Sequence, residues 1–496
     1  MSSSMSNSAE SAIAPPPESD SGTAKADDAP HGTAPSVPLR TAIREALRGT
    51  HRDFTEGTVS HAILILAIPM VLEMIMESVF AVCDVFFVSR LGANAVATVG
   101  LTESWVTLVF ALAMGLAIAT SAMVARRTGE RDREGAARAA TQGILLGLAL
   151  ALILGVAGGT LAPRALRVMG ASPDVVAQGT GYARVMLGGN VTIVMLFLIN
   201  AIFRGAGDAA IAMRVLWLAN AINIVLGPCL IFGLGPFPRL GVTGAAIATN
   251  IGRGTGVLFA LSRLLKPGSR VDIHARHLKI EPALIGRLLQ LAWSAALQFL
   301  IGMGSWIALV RILSTFGSNT LAGYTIGIRV IMFTILPASG VANAAATMVG
   351  QALGARKPER AEEAVKIAGK YNMLVLTGVG LLLGLGAPLI ARLFTSDPNV
   401  GSVAANLLRV VAFGYPLYGW GMVYGQSFNG AGDTRTPTLL NLAVFWCWEI
   451  PLAFVLAIPL KLGPFGVFLA MALAFSTYAV AGAWAFKRGS WKRHRI

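Results

Sequence analysis

Phe203-Arg204-Gly205-Ala206-Gly207-Asp208 recurs as Phe428-Asn429-Gly430-Ala431-Gly432-Asp433. Five of the six residues match, and each lies 225 positions after its partner. The same offset pairs Gly92 with Gly317, Gly129 with Gly354, Pro163 with Pro388, Arg184 with Arg409, and Gly241-Val242 with Gly466-Val467. No gap is needed at any of these anchors, so the chain reads as one unit written twice in a single register.

Composition fixes the solvent. With 55% hydrophobic and only 13% charged residues, and a mean hydropathy of +0.66, the chain cannot present an ordinary polar surface to water. Apolar runs of bilayer-spanning length, about 20 residues or more, fall near 61–88, 95–125, 138–161, 174–203, 211–234, 241–265, 283–314, 320–350, 362–391, 399–428, 436–459 and 465–486. The alternating pattern of membrane strands is absent, so the expected fold is an all-α membrane protein with twelve transmembrane helices. Spans 1–6 and 7–12 form two six-helix lobes. Equal span number and like orientation relate the lobes by a pseudo-twofold axis along the membrane normal, the plan of a transporter built from parallel repeats. The expected domains are a disordered tail over 1–60, an amino lobe over 61–265, a loop over 266–282, a carboxy lobe over 283–487 and a basic tail over 488–496. A short basic helix is expected over 38–52.

Basic residues set the orientation. Arg126, Arg127, Arg131, Arg133 and Arg138, then Arg263, Lys266 and Arg270, then Arg356, Lys357 and Arg360 all fall on one side, as do Arg204, Arg214 and Arg435. Both tails fall there too, so both are expected to be cytoplasmic in a multi-pass protein of the plasma (inner) membrane. Basic loops beside an anionic leaflet account for the net charge of +15 without a nucleic-acid partner. No phosphate-binding loop and no Ser/His/Asp set is visible, so neither ATP driving nor enzymatic activity is expected, and no cofactor. Cys83, Cys229 and Cys447 lie within spans at no metal-ligand spacing. His274 and His277 are spaced like ligands but sit among Lys and Arg, so no metal is expected there.

The scaffold repeats, but the intramembrane charge does not. Span 1 carries Glu73, Glu77 and Asp84. Separations of 4 and 7 residues rotate a helix by only about 40° and −20°, so the three share a face. At offset 225 their counterparts are Gln298, Gly302 and Leu309, so the acids belong to the amino-terminal half. Each ionised group near the bilayer centre costs at least about 2.5–3.5 kcal/mol, which points to a wet or paired setting. Glu103 in span 2 is a further candidate. The plainer alternative is neutralisation of an intramembrane cation, with Arg253 the nearest by topology. Two carboxylates one turn apart repel and favour proton uptake by one of them.

Further stretches resemble a known family. They are Ile68-Pro69, Val82-Cys83-Asp84-Val85, Leu91-Gly92, the Gly-Ala-Gly-Asp repeat, Asn220 and Asn223, Gly244-Ala245-Ala246-Ile247-Ala248-Thr249, Val349-Gly350-Gln351-Ala352-Leu353-Gly354-Ala355 and Thr434-Arg435-Thr436-Pro437. Together they resemble the multidrug and toxic compound extrusion (MATE) transporters over nearly all of 60–488. The resemblance implies two lobes in a V around a central cavity, and exchange of H⁺ or Na⁺ for amphipathic, often cationic, organic compounds. It places the family's essential amino-lobe carboxylate on Asp84, its span-5 asparagine on Asn223 and a span-6 threonine on Thr249, with Asn200 beside the same pocket.

The chain departs from that pattern where a span-5 carboxylate is replaced by Gly227. Acids of the NorM-like branch fall here on Gly302 and Tyr418. The cation site is thus short of a ligand, which favours H⁺ over Na⁺, with Glu73 and Glu77 supplying charge from span 1. Tyr418, Met332, Tyr415, Trp420, Phe80 and Trp105 are candidates for a cavity that holds greasy cations by stacking and cation–π contact. Export by a monomer is the leading expectation. A flippase for lipids or lipid-linked oligosaccharides is the alternative, and the acidic face of span 1 argues against it.

Overall fold

The structure, a computed structural model, describes residues 39–49, 52–266, 268–494 and 496. The amino-terminal segment before Leu39 lies outside the described residues. Twelve helical spans follow the expected order: Val59–Ser89, Ala93–Gly129, Arg133–Val168, Pro173–Gly205, Ala209–Phe232 and Val242–Leu264 in the amino lobe. Pro282–Leu313, Ser318–Gly354, Pro358–Phe394, Pro398–Gly430, Arg435–Ala457 and Pro464–Lys487 make the carboxy lobe. No strand occurs among the described residues. Eleven of these helices are long and apolar enough to cross a membrane. The twelfth is span 6, whose glycines and Arg253 dilute its apolar content. It lies directly on span 5, where a Cβ at Gly252 would come 2.5 Å from the Ala219 carbonyl.

The repeated motif is a helix end followed by a turn. Asp208 N donates to Phe203 O at 2.8 Å, and Asp433 N to Phe428 O at 2.9 Å. This bond closes the last turn and requires a left-handed residue after the helix. Gly207 and Gly432 supply it with φ of 84° and 83°. Gly205 and Gly430 are bare for another reason: a Cβ on them would strike the carbonyls of Ser121 and Ala346, themselves 225 apart, at 2.6 and 2.1 Å. Arg131 and Arg356 share the same left-handed φ of 59°. The halves therefore superpose in parallel, and both glycine turns lie at one end, near Phe54 and Ile496.

The single register fails after Asp433. Leu240 N and Gly241 N donate to Leu230 O and Ile231 O, whereas Leu462 N and Gly463 N donate to Leu456 O and Ala457 O. These equivalent bonds set an offset of 226 at the end of spans 5 and 11 and 222 at the start of spans 6 and 12. Gly466 is accordingly the counterpart of Gly244, not of Gly241: each would place a Cβ against the Leu456 or Leu230 carbonyl. The extra residue is absorbed by a π-helical segment, Leu442–Glu449, since a π turn inserts one residue into a helix. Pro451 follows two residues later and has no N–H for the carbonyl of Cys447, which weakens the α register at that point.

The lobes meet tightly toward the end that carries the chain's tails. Cβ atoms at Gly340 and Gly115 would lie 2.6 Å from Val71 N and 2.4 Å from Ala292 O. Thr347 and Gln351 of span 8 donate to the carbonyls of Arg204 and Gly205 in span 4. A strap over 52–57 adds to this. Arg360 of the carboxy lobe donates to Phe54 O, Glu56 O and Gly57 O at 2.9, 2.7 and 2.7 Å, and Lys357 to Thr55 O at 3.0 Å. From the amino lobe Arg131 grips Asp53 and Glu56, and Arg270 donates to Arg52 O. Within the tail expected to be disordered over 1–60, Leu39–Arg48 is helical and buries Ala42 and Ala46. Beyond 488, Trp491 is fully buried against Phe486, and Arg126 of the amino lobe donates to the His494 carbonyl.

Candidate functional site

The three span-1 acids point into the amino lobe, each toward a different helix. Glu73, only 2% exposed, accepts from Arg204 Nη1 at 2.7 Å and from Asn200 Nδ2 at 3.4 Å, both on span 4. Its other oxygen, Oε2, is buried without a hydrogen-bond partner. Glu77, one turn on, accepts from Asn220 Nδ2 of span 5 at 3.0 Å. One turn along span 5, Asn223 donates to Thr249 Oγ1 of span 6 at 2.7 Å, and that hydroxyl donates to Ala245 O. The Trp217 indole donates to Leu72 O and fastens span 5 to span 1 beside the acids. Asp84 is half-buried further along, within electrostatic reach of Arg253, Glu103 and Tyr182.

These contacts correct the expected pairing. Arg253 lies within electrostatic reach of Asp84, and the partners of Glu73 and Glu77 are other residues. The cation on Glu73 is Arg204, which its motif placed among the loop arginines but which lies buried at the end of span 4. Asn200, Asn223 and Thr249 do join the same polar ladder. Glu103 is exposed between the lobes and feels both Asp84 and Arg329 of span 8. At Gly227 only Asn223 Oδ1 comes within 4 Å of a built Cβ, so the position lacking a carboxylate is open.

Tyr418 does not belong to this ladder. It lines a separate cavity of about 450 Å³ in the carboxy lobe, against span 2, together with Phe299, Trp306, Met332, Phe475 and Tyr478. Its ring stacks on Phe475 at 4.0 Å. Gly302, Gln298, Gln426 and Asn441 also face this cavity, giving an aromatic and methionine wall with a few amides, a lining suited to amphipathic molecules. Tyr415 is instead buried in the core, bonded to Thr334 at 2.8 Å, and the Trp420 indole is committed to Met373.

Acid is not confined to the amino-terminal half. Glu449 of span 11 is 1% exposed and its Oε2 has no partner. The offset of 225 matches it with Ile224; the signal that could have found it is a lone acid among Trp446, Cys447, Trp448 and Ile450. Among the described residues no group of three potential metal ligands occurs. His277 is used structurally, 2.8 Å from Glu134.

The comparisons agree with this geometry. The MatE family profile matches residues 69–229 and 294–455, one match in each lobe. A relative described as "Probable multidrug resistance protein YoeA" of Bacillus subtilis is 25% identical over 448 residues, covering 89% of this chain and 96% of that protein. The "Probable multidrug resistance protein NorM" of Thermotoga maritima is 24% identical, over 87% and 93%. A solved "Outward-facing conformation of a multidrug resistance MATE family transporter of the MOP superfamily" superposes with a TM-score of 0.84 at 29% identity, covering 91% of this chain and 99% of that one. By its doubled profile and its twelve-helix two-lobe fold, this chain belongs to the MatE family of multidrug and toxic compound extrusion transporters.

Proposed function

We propose that the protein is a secondary antiporter of the inner membrane, with the strapped end cytoplasmic, that expels amphipathic organic cations in exchange for protons. The observation that carries this reading is the span-1 ladder. Glu73 and Glu77 stand one turn apart inside the amino lobe, one salt-bridged and the other amide-bonded, and Asp84 follows beside Arg253. Proton uptake on such acids changes the charge that holds Arg204, Asn200 and Asn220 in place, and so biases one packing of the lobe against another. The aromatic cavity supplies a surface for the cargo, and tight contact at the strapped end leaves the cleft to open outward. One chain provides both lobes, so the monomer is the working unit. A proton suits the ladder better than Na⁺, because Gly227 withholds an oxygen ligand. The test is dye-cation transport in proteoliposomes under separately imposed pH and Na⁺ gradients. Transport that follows the pH gradient at fixed Na⁺ supports the reading, and transport that follows only Na⁺ overturns the choice of ion.

A further inference from the structure

The register shift gives Glu449 a counterpart that the ungapped repeat conceals. The offset beyond the π segment is 226, and Glu449 is the last residue of that segment, so at this offset it occupies in the carboxy lobe the place of Asn223 in the amino lobe. Asn223 has the Thr249 hydroxyl as its partner. At the span-12 offset of 222, the place of Thr249 is taken by Met471, buried and without a hydroxyl. A neutral amide bonded to a hydroxyl in one lobe is therefore matched in the other by a carboxyl, with a thioether at the position of the hydroxyl.

Among the described residues no cation pairs with Glu449. The ionisable groups within reach are the Tyr324 hydroxyl of span 8 and the Tyr418 hydroxyl of span 10. Tyr418 acts in turn on Tyr478 of span 12, and among the described residues no Lys or Arg acts on Glu449. Span 7 meets the π segment through the Ile301 carbonyl, which takes the Trp446 indole N–H at 2.8 Å. Glu449 Oε2 and the Tyr324 hydroxyl, on two different helices, are both buried with no hydrogen-bond partner. A bare carboxylate in such a place is strongly disfavoured and is relieved when the group neutralises. Two phenolic hydroxyls are too few oxygens to cage a metal cation, whereas one proton satisfies the carboxyl outright. Tyr418 both lines the aromatic cavity and lies within electrostatic reach of Glu449, and π segments recur at functional sites.

We propose that Glu449 is a proton-binding site of the carboxy lobe, the pseudo-symmetric counterpart of Asn223, and that it releases its proton when an organic cation enters the cavity walled by Tyr418. The O–H bond of the carboxyl breaks, its electron pair stays on the carboxylate, and the proton passes to water, so the charge of the lobe is unchanged by the exchange. The second half of this statement rests on the reading of the cavity as a cation site, and the first half does not.

The experiment separates the two. Infrared difference spectra of the full chain in detergent, without ligand, should show the carbonyl stretch of a protonated carboxyl near neutral pH. That band should disappear in Glu449→Gln and shift in frequency in Tyr324→Phe. A band unchanged in Glu449→Gln overturns the proton site, and so does a band that bleaches when choline chloride is replaced by NaCl. Calorimetric titration with tetraphenylphosphonium in two buffers of different ionisation enthalpy then counts protons. The wild type should release about one more proton than Glu449→Gln. Equal release overturns the coupling. Failure of the wild type to bind tetraphenylphosphonium overturns the cavity reading while the infrared result stands by itself.

Discussion

Arg204 Nη1 stands 2.7 Å from Glu73 Oε1, with both side chains nearly withdrawn from the surface. Breaking a buried pair from one side leaves an uncompensated charge and costs about 3–5 kcal/mol. Glu73→Gln should therefore lower thermal stability in detergent sharply. Replacing both partners, Glu73→Gln with Arg204→Gln, should recover much of the loss. A double-mutant cycle on melting curves checks this; strict additivity would mean that the contact contributes nothing.

Asp84 differs in lying half open, within electrostatic reach of Arg253. Asp84→Asn should leave the melting temperature within a few degrees of the wild type and reduce dye export at least tenfold. Wild-type resistance in cells carrying this variant at matched expression would remove Asp84 from the coupling site.

Thr249→Val keeps the shape of the side chain and removes the oxygen that accepts from Asn223 Nδ2. One buried amide is left without its bond, a loss of about 1–3 kcal/mol. The expected outcome is modest destabilisation together with weakened transport, read from melting curves and initial efflux rates. Thr249→Ser should restore both.

The closed end can be loosened in two independent ways. Arg360→Ala removes three bonds to strap carbonyls, each of about 1 kcal/mol. Gly340→Ala forces spans 8 and 1 apart, because its Cβ would lie 2.6 Å from Val71 N. Both should lengthen spin-label distances between positions 133 and 359, which lie on opposite lobes at that end. Unchanged distances in both would show that neither contact holds the lobes together.

Much of this architecture is legible in the sequence, for physical reasons. Helix ends need particular residues, so the turn at Gly207 and its copy at Gly432 betray the duplication directly. Charges are costly in a bilayer, so Glu73, Glu77 and Asp84 stand out. Glu449 is just as costly, yet the ungapped register pairs it with Ile224 and hides its kinship with Asn223. An inserted residue absorbed inside a helix leaves no loop or glycine to announce it. Arg204 is misread for a related reason: its motif marks a helix end, and only tertiary packing shows that this end is buried against span 1. Span 6 is legible from its apolar run over 241–265 and is helical, although Arg253 and its glycines blunt its apolar signal.

The strap over 52–57 is held by arginine and lysine side chains that reach mainly for main-chain carbonyls. Carbonyls are the same whichever side chain they carry, so these main-chain bonds are indifferent to composition and sensitive to length. Substitutions at Phe54, Thr55 or Glu56 leave the row of acceptors in place. A one-residue insertion or deletion between Asp53 and Gly57 slides every acceptor past its donor at once. The segment is therefore constrained in how many residues it contains, beyond the particular side chains of Asp53, Phe54 and Glu56 that it also uses.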